Sequence, residues 1–206
     1  MIVAGGSPAI RAAQNATTTI PIIMSGTGDP VASGLVQSLA RPGGNTTGVS
    51  DVATAMATKH LELMREVMPS VSRVGLLANP GSSTRGAHLN SLGGAAQQLE
   101  VGLLVTNASS SEEIERGIAV LKDRGAEAVL ILPDSLFISR VVLIASLAAT
   151  HRVPSIFALR EFAEAGGMMS YGTNREESFR STVTFIDKMG LDASWRRLLA
   201  PQPCAR

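Results

Sequence analysis

The stretch Ile20–Ser50, IPIIMSGTGDPVASGLVQSLARPGGNTTGVS, decides how this chain is read. It predicts a buried strand, a glycine-rich polar loop, a short helix, a Pro-Gly-Gly break and a second strand. Ile20–Met24 is a brief apolar run, the pattern of a strand covered on both faces. Asp29-Pro30 then supplies a capping carboxylate and a residue already locked at helical φ. Arg41-Pro42-Gly43-Gly44 stops that helix with residues that cannot continue it. Polar groups gathered where a parallel strand hands over to a helix occupy the usual ligand position of an open α/β sheet. The stretch therefore points to a chain that holds something small.

Working outward, strand patterns recur at an even pitch after Val71: RVGLLAN from Arg73, VGLLVT from Val101, AVLILPD from Ala128 and PSIFAL from Pro154. Each repeat is one βα unit, which implies a parallel sheet with right-handed crossovers and helices on both faces. A fifth short strand, Gly167–Tyr171, completes that sheet. Before Val71 only three strands are visible: Ile2–Ala4, Ile20–Met24 and Thr47–Val49. Between the strands, Ser110 with Glu113 makes a capping box. Ile114, Ile118 and Leu121 share one face of the helix that follows. Thr58–Met68 places Leu61, Met64 and Met68 on one face before Pro69 closes it. Leu136–Ala149 reads as the most apolar helix.

Composition narrows the function. Of 206 residues, 45% are apolar and 17% charged, ample for a core. The formal net charge of +1 offers no field for nucleic acid or anionic lipid, and an aromatic share of 3% leaves few rings to stack on bases or sugars. No nucleic-acid partner and no membrane span are expected; the apolar helix is too short for a bilayer and carries Arg140. Cys204 is the only cysteine, so neither an internal disulfide nor a cysteine metal site is available. His60, His88 and His151 lack ligand-like spacing. No metal and no cofactor are expected. MIVAGGSPAI has no basic n-region or long apolar core and is not read as a signal peptide, so the chain as written would stay in the cytoplasm.

The run GDPVASGLVQSLARPGGNTTGVS, followed by KHLELMREVMPSVSRVGLLANP, resembles the ABC transporter substrate-binding proteins of the tryptophan/tyrosine-binding type. LILPDSL near Leu130, HRVPSIFALREFAEAGGMMSYG from His151 and the helix FRSTVTFIDK extend the resemblance over Ile2 to Lys188. It implies a type I periplasmic-binding-protein fold: two α/β lobes joined by crossover strands, closing on a ligand in the cleft between them. It further implies a periplasmic or lipoprotein-anchored location, a small-molecule solute such as an amino acid, an ABC permease as partner, a monomer and no catalysis. Relatives carry an export signal and two βα units before the position of Ile2. The reading therefore expects a chain truncated at both ends: residues 1–50 with 174–188 as a partial first lobe, 51–173 as the second lobe, and 189–206 as an irregular tail.

Cleft residues in such a fold lie at the C-terminal ends of strands, where helix N-termini direct free N–H groups at a ligand. Ser7, after Gly5-Gly6, is a helix cap, a carboxylate-gripping hydroxyl, or both. Gly26 and Thr27 belong to a small-residue run that lets a ligand approach the backbone of Asp29, itself either a cap or a partner for an ammonium. Asn79 leaves the strand from Arg73; Pro80-Gly81 is a plain turn, with the hydroxyls of Ser83 and Thr84 as additional polar groups. Asp134 caps the apolar helix or serves as a second acidic ligand group opposite Asp29. Tyr171 belongs to core, hinge or ligand. Arg160 and Glu161 read as a solvated pair. Two other functions compete. A Rossmann-like enzyme needs Gly-x-Gly-x-x-Gly, which neither Gly5-Gly6 nor Gly26-x-Gly28 completes, and no Gly-x-Ser-x-Gly elbow is present. A ligand-sensing domain of a transcription regulator shares the lobe fold, but no helix-turn-helix module accompanies it.

Overall fold

The computed structural model describes residues 1–50, 53–172 and 174–189; the expected irregular tail lies, from residue 190 onward, outside the described residues. In chain order the elements begin with β1 (Ile2–Gly5), α1 (Ser7–Ala16), β2 (Ile22–Thr27), β3 (Thr46–Ser50), α2 (Ala53–Val67), β4 (Arg73–Ala78), α3 (Arg85–Gln98) and β5 (Gly102–Asn107). They continue with α4 (Ser111–Asp123), β6 (Ala128–Ile131), α5 (Ser135–Ser139), α6 (Val141–Thr150), β7 (Ser155–Phe157), α7 (Arg160–Glu164), β8 (Met169–Ser170) and α8 (Arg175–Met189). The chain divides into two compact units, residues 1–52 with 174–206, and residues 53–173.

The first unit holds a parallel sheet of order β1-β2-β3. Alternation along β2 sends Ile22 and Met24 into a core with Ala4, Ile10 of α1, Leu35 and Val36. Ile23 and Ser25 are buried as well, and α8 packs on β2 and β3. There the Thr182 hydroxyl donates to the Ser178 carbonyl at 2.9 Å. Its oxygen stands 3.0 Å from Ser25 Oγ, which leaves Ser25 as the donor of a buried hydrogen bond.

Two expectations for this unit are corrected. Gly26 and Thr27 are not loop residues: β2 runs on through Thr27, and a register shift between Met24 and Thr27 puts Gly26 at a bulge with φ +57°. The helix expected after Asp29-Pro30 is a series of turns instead. Leu35 and Val36 N–H both donate to the Pro30 carbonyl, and Gly34 takes φ +64°, which a right-handed helix cannot continue. Side chains of α1 bind the carbonyls that a helix would have used internally: Arg11 donates to Ser33 at 2.7 Å and Gln14 to Leu35 at 2.7 Å. Tertiary hydrogen bonds have replaced local ones.

The second unit is an all-parallel sheet of order β5-β4-β6-β7-β8. Strict alternation builds a separate core on each face. Val74, Leu76, Leu130 and Ile156 pack with Leu61, Met64 and Leu92 of α2 and α3. Leu77, Val129, Ile131 and Phe157 pack with Ile114, Ile118, Phe137, Ile144 and Phe162 of α4 to α7. Burial on both faces explains why these strands read as continuous apolar runs. Three details differ from expectation. The apolar helix is two helices, broken at Arg140, whose φ of −117° leaves the helical range and whose Nε donates to Ser111 Oγ at 2.9 Å. Glu113 reaches back to Ser109 rather than to the capping Ser110. The last strand spans Met169–Ser170 only. Among the described residues no helix is long and apolar enough to cross a membrane.

Candidate functional site

The order of the second sheet changes direction once. The chain passes from β4 outward to β5, then returns to lay β6 on the other side of β4. Loops leaving β4 and β6 therefore diverge, and the crevice outside their carboxyl ends is where open α/β sheets meet ligands. Asn79 leaves β4 and Asp134 follows β6 at this switch point. Asn79 Nδ2 donates to Asp134 Oδ1 at 2.9 Å, although 55 positions separate them in the chain. Both are half-buried. The same Asp134 oxygen accepts the Leu136 N–H at 2.9 Å as the cap of α5, and Asn79 Oδ1 accepts the Gly81 N–H at 2.9 Å. Each side chain is thus held by the turn it starts and by the other. One Asp134 oxygen thus makes both the helix cap and a bond that spans two strands.

Around this pair, Thr84 is buried and its hydroxyl lies 3.3 Å from Ser82 Oγ. It occupies the position before α3 without capping it through its side chain. Ser83 is exposed and stands outside the pair's hydrogen bonds. Tyr171 is 44% exposed just past β8, and its N–H donates to the Phe157 carbonyl. It ends the far strand of the sheet, so the structure does not join it to the Asn79–Asp134 pair. Arg160 pairs with Glu164 at 2.7 Å rather than with Glu161, on an exposed helix face.

Asn107 at the end of β5 was not singled out from the sequence. Arg85, which opens α3, donates to its Oδ1 at 3.1 Å. The strand-end rule that picked Asn79 after RVGLLA applies equally to Asn107 after VGLLVT, and that signal was available.

In the first unit the strand ends bring Ser7 and Thr27 together, with hydroxyl oxygens 3.4 Å apart. Ser7 is not the cap of α1, correcting that expectation: Gly6 takes the cap position with no side-chain bond, and Ser7 is the first helical residue. Its hydroxyl is thereby turned toward β2. Thr27 is almost fully buried and Gly26 beside it is exposed. Asp29 is held as a turn cap, its Oδ1 accepting the Val31 and Ala32 N–H groups at 3.0 and 2.9 Å. Among the described residues no group of three His, Cys, Asp or Glu is placed to hold a metal ion.

Two α/β units with parallel sheets, carrying polar side chains at the carboxyl ends of their strands, place the chain in the α/β class. The comparisons narrow that class. Residues 1–189 match the family of ABC transporter substrate binding proteins, and the chain belongs to that family. A tyrosine-binding protein from Clostridioides difficile (strain R20291) is 32% identical over 178 residues, covering 86% of this chain and 50% of that protein. This chain therefore spans about half the length of its curated relative. Among solved structures, a conserved domain protein from Vibrio cholerae is 26% identical with a TM-score of 0.84, over 91% of this chain and 62% of that one. An ABC domain from Streptococcus pneumonia in complex with L-Trp shares the fold, with a TM-score of 0.84 at 24% identity over 92% of this chain and 63% of that one.

Proposed function

We propose that this chain is the solute-binding component of an ABC importer, capturing an amino acid or similar small polar solute and passing it to a membrane permease. Family membership across residues 1–189, which runs through both units, is the observation that carries the reading. In this reading solute is met at the strand-end groups. Asn79 and Asp134 supply an amide and a carboxylate suited to an ammonium, and Ser7 and Thr27 supply hydroxyls suited to a carboxylate. Gly26 would let the solute approach the backbone, and Asp29, Ser83, Thr84 and Tyr171 are further contacts to test. The protein would act as a monomer outside the cytoplasmic membrane, by binding and release without making or breaking a bond. The tyrosine-binding relative makes aromatic amino acids the first solutes to try.

The test is a thermal-shift screen of the common amino acids, followed by calorimetry of any that register. Solute at a hundred times its dissociation constant stabilises by about 2.7 kcal/mol, a shift of several degrees in Tm. Tyrosine or tryptophan is expected to raise Tm and to be recovered chemically unchanged. No shift with any amino acid, or conversion of the solute on incubation, would overturn the reading.

A further inference from the structure

His60 sits near the middle of α2 and is fully buried. Its Nε2 is bonded to the backbone carbonyl of Tyr171, and the two rings meet edge to face at 6.3 Å. Nδ1 is also buried, with no hydrogen-bond partner. A carbonyl only accepts, so Nε2 must carry the proton; Nδ1, facing no acceptor, is bare. The ring is therefore the neutral Nε2–H tautomer.

The residue it grips has a particular place in the chain. Tyr171 and Gly172 follow β8 and are the last described residues of the second unit before the chain passes to the first. The segment is held at three successive points: the Tyr171 N–H donates to the Phe157 carbonyl, the Tyr171 carbonyl accepts from His60, and Gly172 lies so close to the Ala158 carbonyl that a Cβ there would overlap it. Because β8 is only two residues long, its ladder alone is a weak anchor.

We propose that His60 clamps the Tyr171 carbonyl as the neutral Nε2–H tautomer, fixing the strand end at which the chain leaves the second unit, and that acidification releases this clamp. Protonation would put a second proton on Nδ1, where no acceptor waits, and the imidazolium would have to reach water. Burial accordingly pushes the His60 pKa below its ordinary value, opposed by the Tyr171 carbonyl. The elements packed most closely against α2 include α3, β6 and β7, and the segment after β8 meets it at Tyr171. Of these, α3 carries Arg85 and His88, while β6 and β7 have no titratable residue; Tyr171 is the group facing the ring. Next to His60 on α2, Lys59 is turned to Glu62 at 3.0 Å, and among the described residues burial and the Tyr171 carbonyl alone act on the ring's charge. The sign follows. A folded pKa below the unfolded one gives stabilisation that is complete above the ordinary histidine value and lost as pH falls beneath it.

This inference goes beyond solute binding and holds whichever solute, if any, is bound. Hydrogen exchange of the Tyr171 and Gly172 amides, measured relative to β4 amides and corrected for intrinsic rate, reads it at pH 7.5 and 5.5 on the whole chain. Wild type is expected to open these amides about threefold or more as pH falls. His60→Gln, whose amide still donates but does not titrate, should show protection at both values, and His60→Leu should be open at both. A His60→Gln profile parallel to wild type, or a rise shared equally with β4, would overturn the clamp. Ring nitrogen shifts of the wild-type protein provide a check that needs no variant. The Nε2–H tautomer is expected, and Nδ1–H would refute the proposal.

Discussion

Asp134 shows how one side chain is both scaffold and candidate contact. Its Oδ1 accepts from Leu136 N–H and from Asn79 Nδ2, so substitutions separate the two roles. Asp134→Ala removes the cap and should lower stability by about 1 kcal/mol, read by denaturant unfolding. Asp134→Asn keeps an acceptor oxygen and caps equally well, so its midpoint should stay near wild type. If the carboxylate meets a solute ammonium, Asp134→Asn weakens that solute tenfold or more in calorimetry, about 1.4 kcal/mol. Unchanged affinity would remove Asp134 from the site. At this scale the sequence was informative about identity and blind to pairing. The strand-end rule located Asn79 and Asp134 separately, but their bond joins two strands whose adjacency is a property of the sheet. The same blindness applied to Ser7, which the sequence reads as a cap, a carboxylate-gripping hydroxyl, or both. The backbone placed the cap one residue earlier and left the hydroxyl for Thr27.

Single elements were legible where local chemistry alone decides them. The start of α4 is such a case: Ser110 Oγ accepts the Glu113 N–H, and Glu113 accepts from both the N–H and hydroxyl of Ser109. These bonds, the Ser109 hydroxyl first, hold the Glu113 carboxyl below its ordinary value of 4.5. A depressed carboxylate contributes stability that is present above the ordinary value and lost as pH falls through the folded one. Glu113→Gln should therefore lower the neutral region toward the acid level and flatten the acid limb of the stability curve below about pH 4.5, as followed by circular dichroism melts; an acid limb identical to wild type would show the carboxylate to be idle. The Pro30 turn is the opposite case. Asp-Pro is a sound helix start by propensity, yet Arg11 and Gln14 reach it from α1 and take its carbonyls. No local pattern contains that contact.

For the whole molecule, the two units differ in how the chain supplies them. The second is one continuous segment with a core on each face of its sheet. Residues 53–173 expressed alone should fold and melt cooperatively, with dispersed amide signals in a heteronuclear spectrum. The first unit is assembled from two distant segments. Residues 1–52 alone should remain largely unfolded, because α8, which packs on β2 and β3 and meets Ser25 through Thr182, would be missing. Helical circular dichroism with a sharp melt from that short segment would contradict this.

The alternation of apolar runs and amphipathic helices determined the α/β class and the parallel pitch after Val71, because period and end signals are local properties carried by neighbouring residues, while the family followed from the resemblance of runs such as GDPVASGLVQSLARPGG. Which polar groups meet was decided by tertiary structure alone. The reversal of strand order brings Asn79 to Asp134, and the packing of α2 on β6 and β7 brings His60 to Tyr171. Both contacts join residues far apart in the chain, and the free energy that selects them comes from burying both faces of the sheet, a quantity no short window of sequence contains.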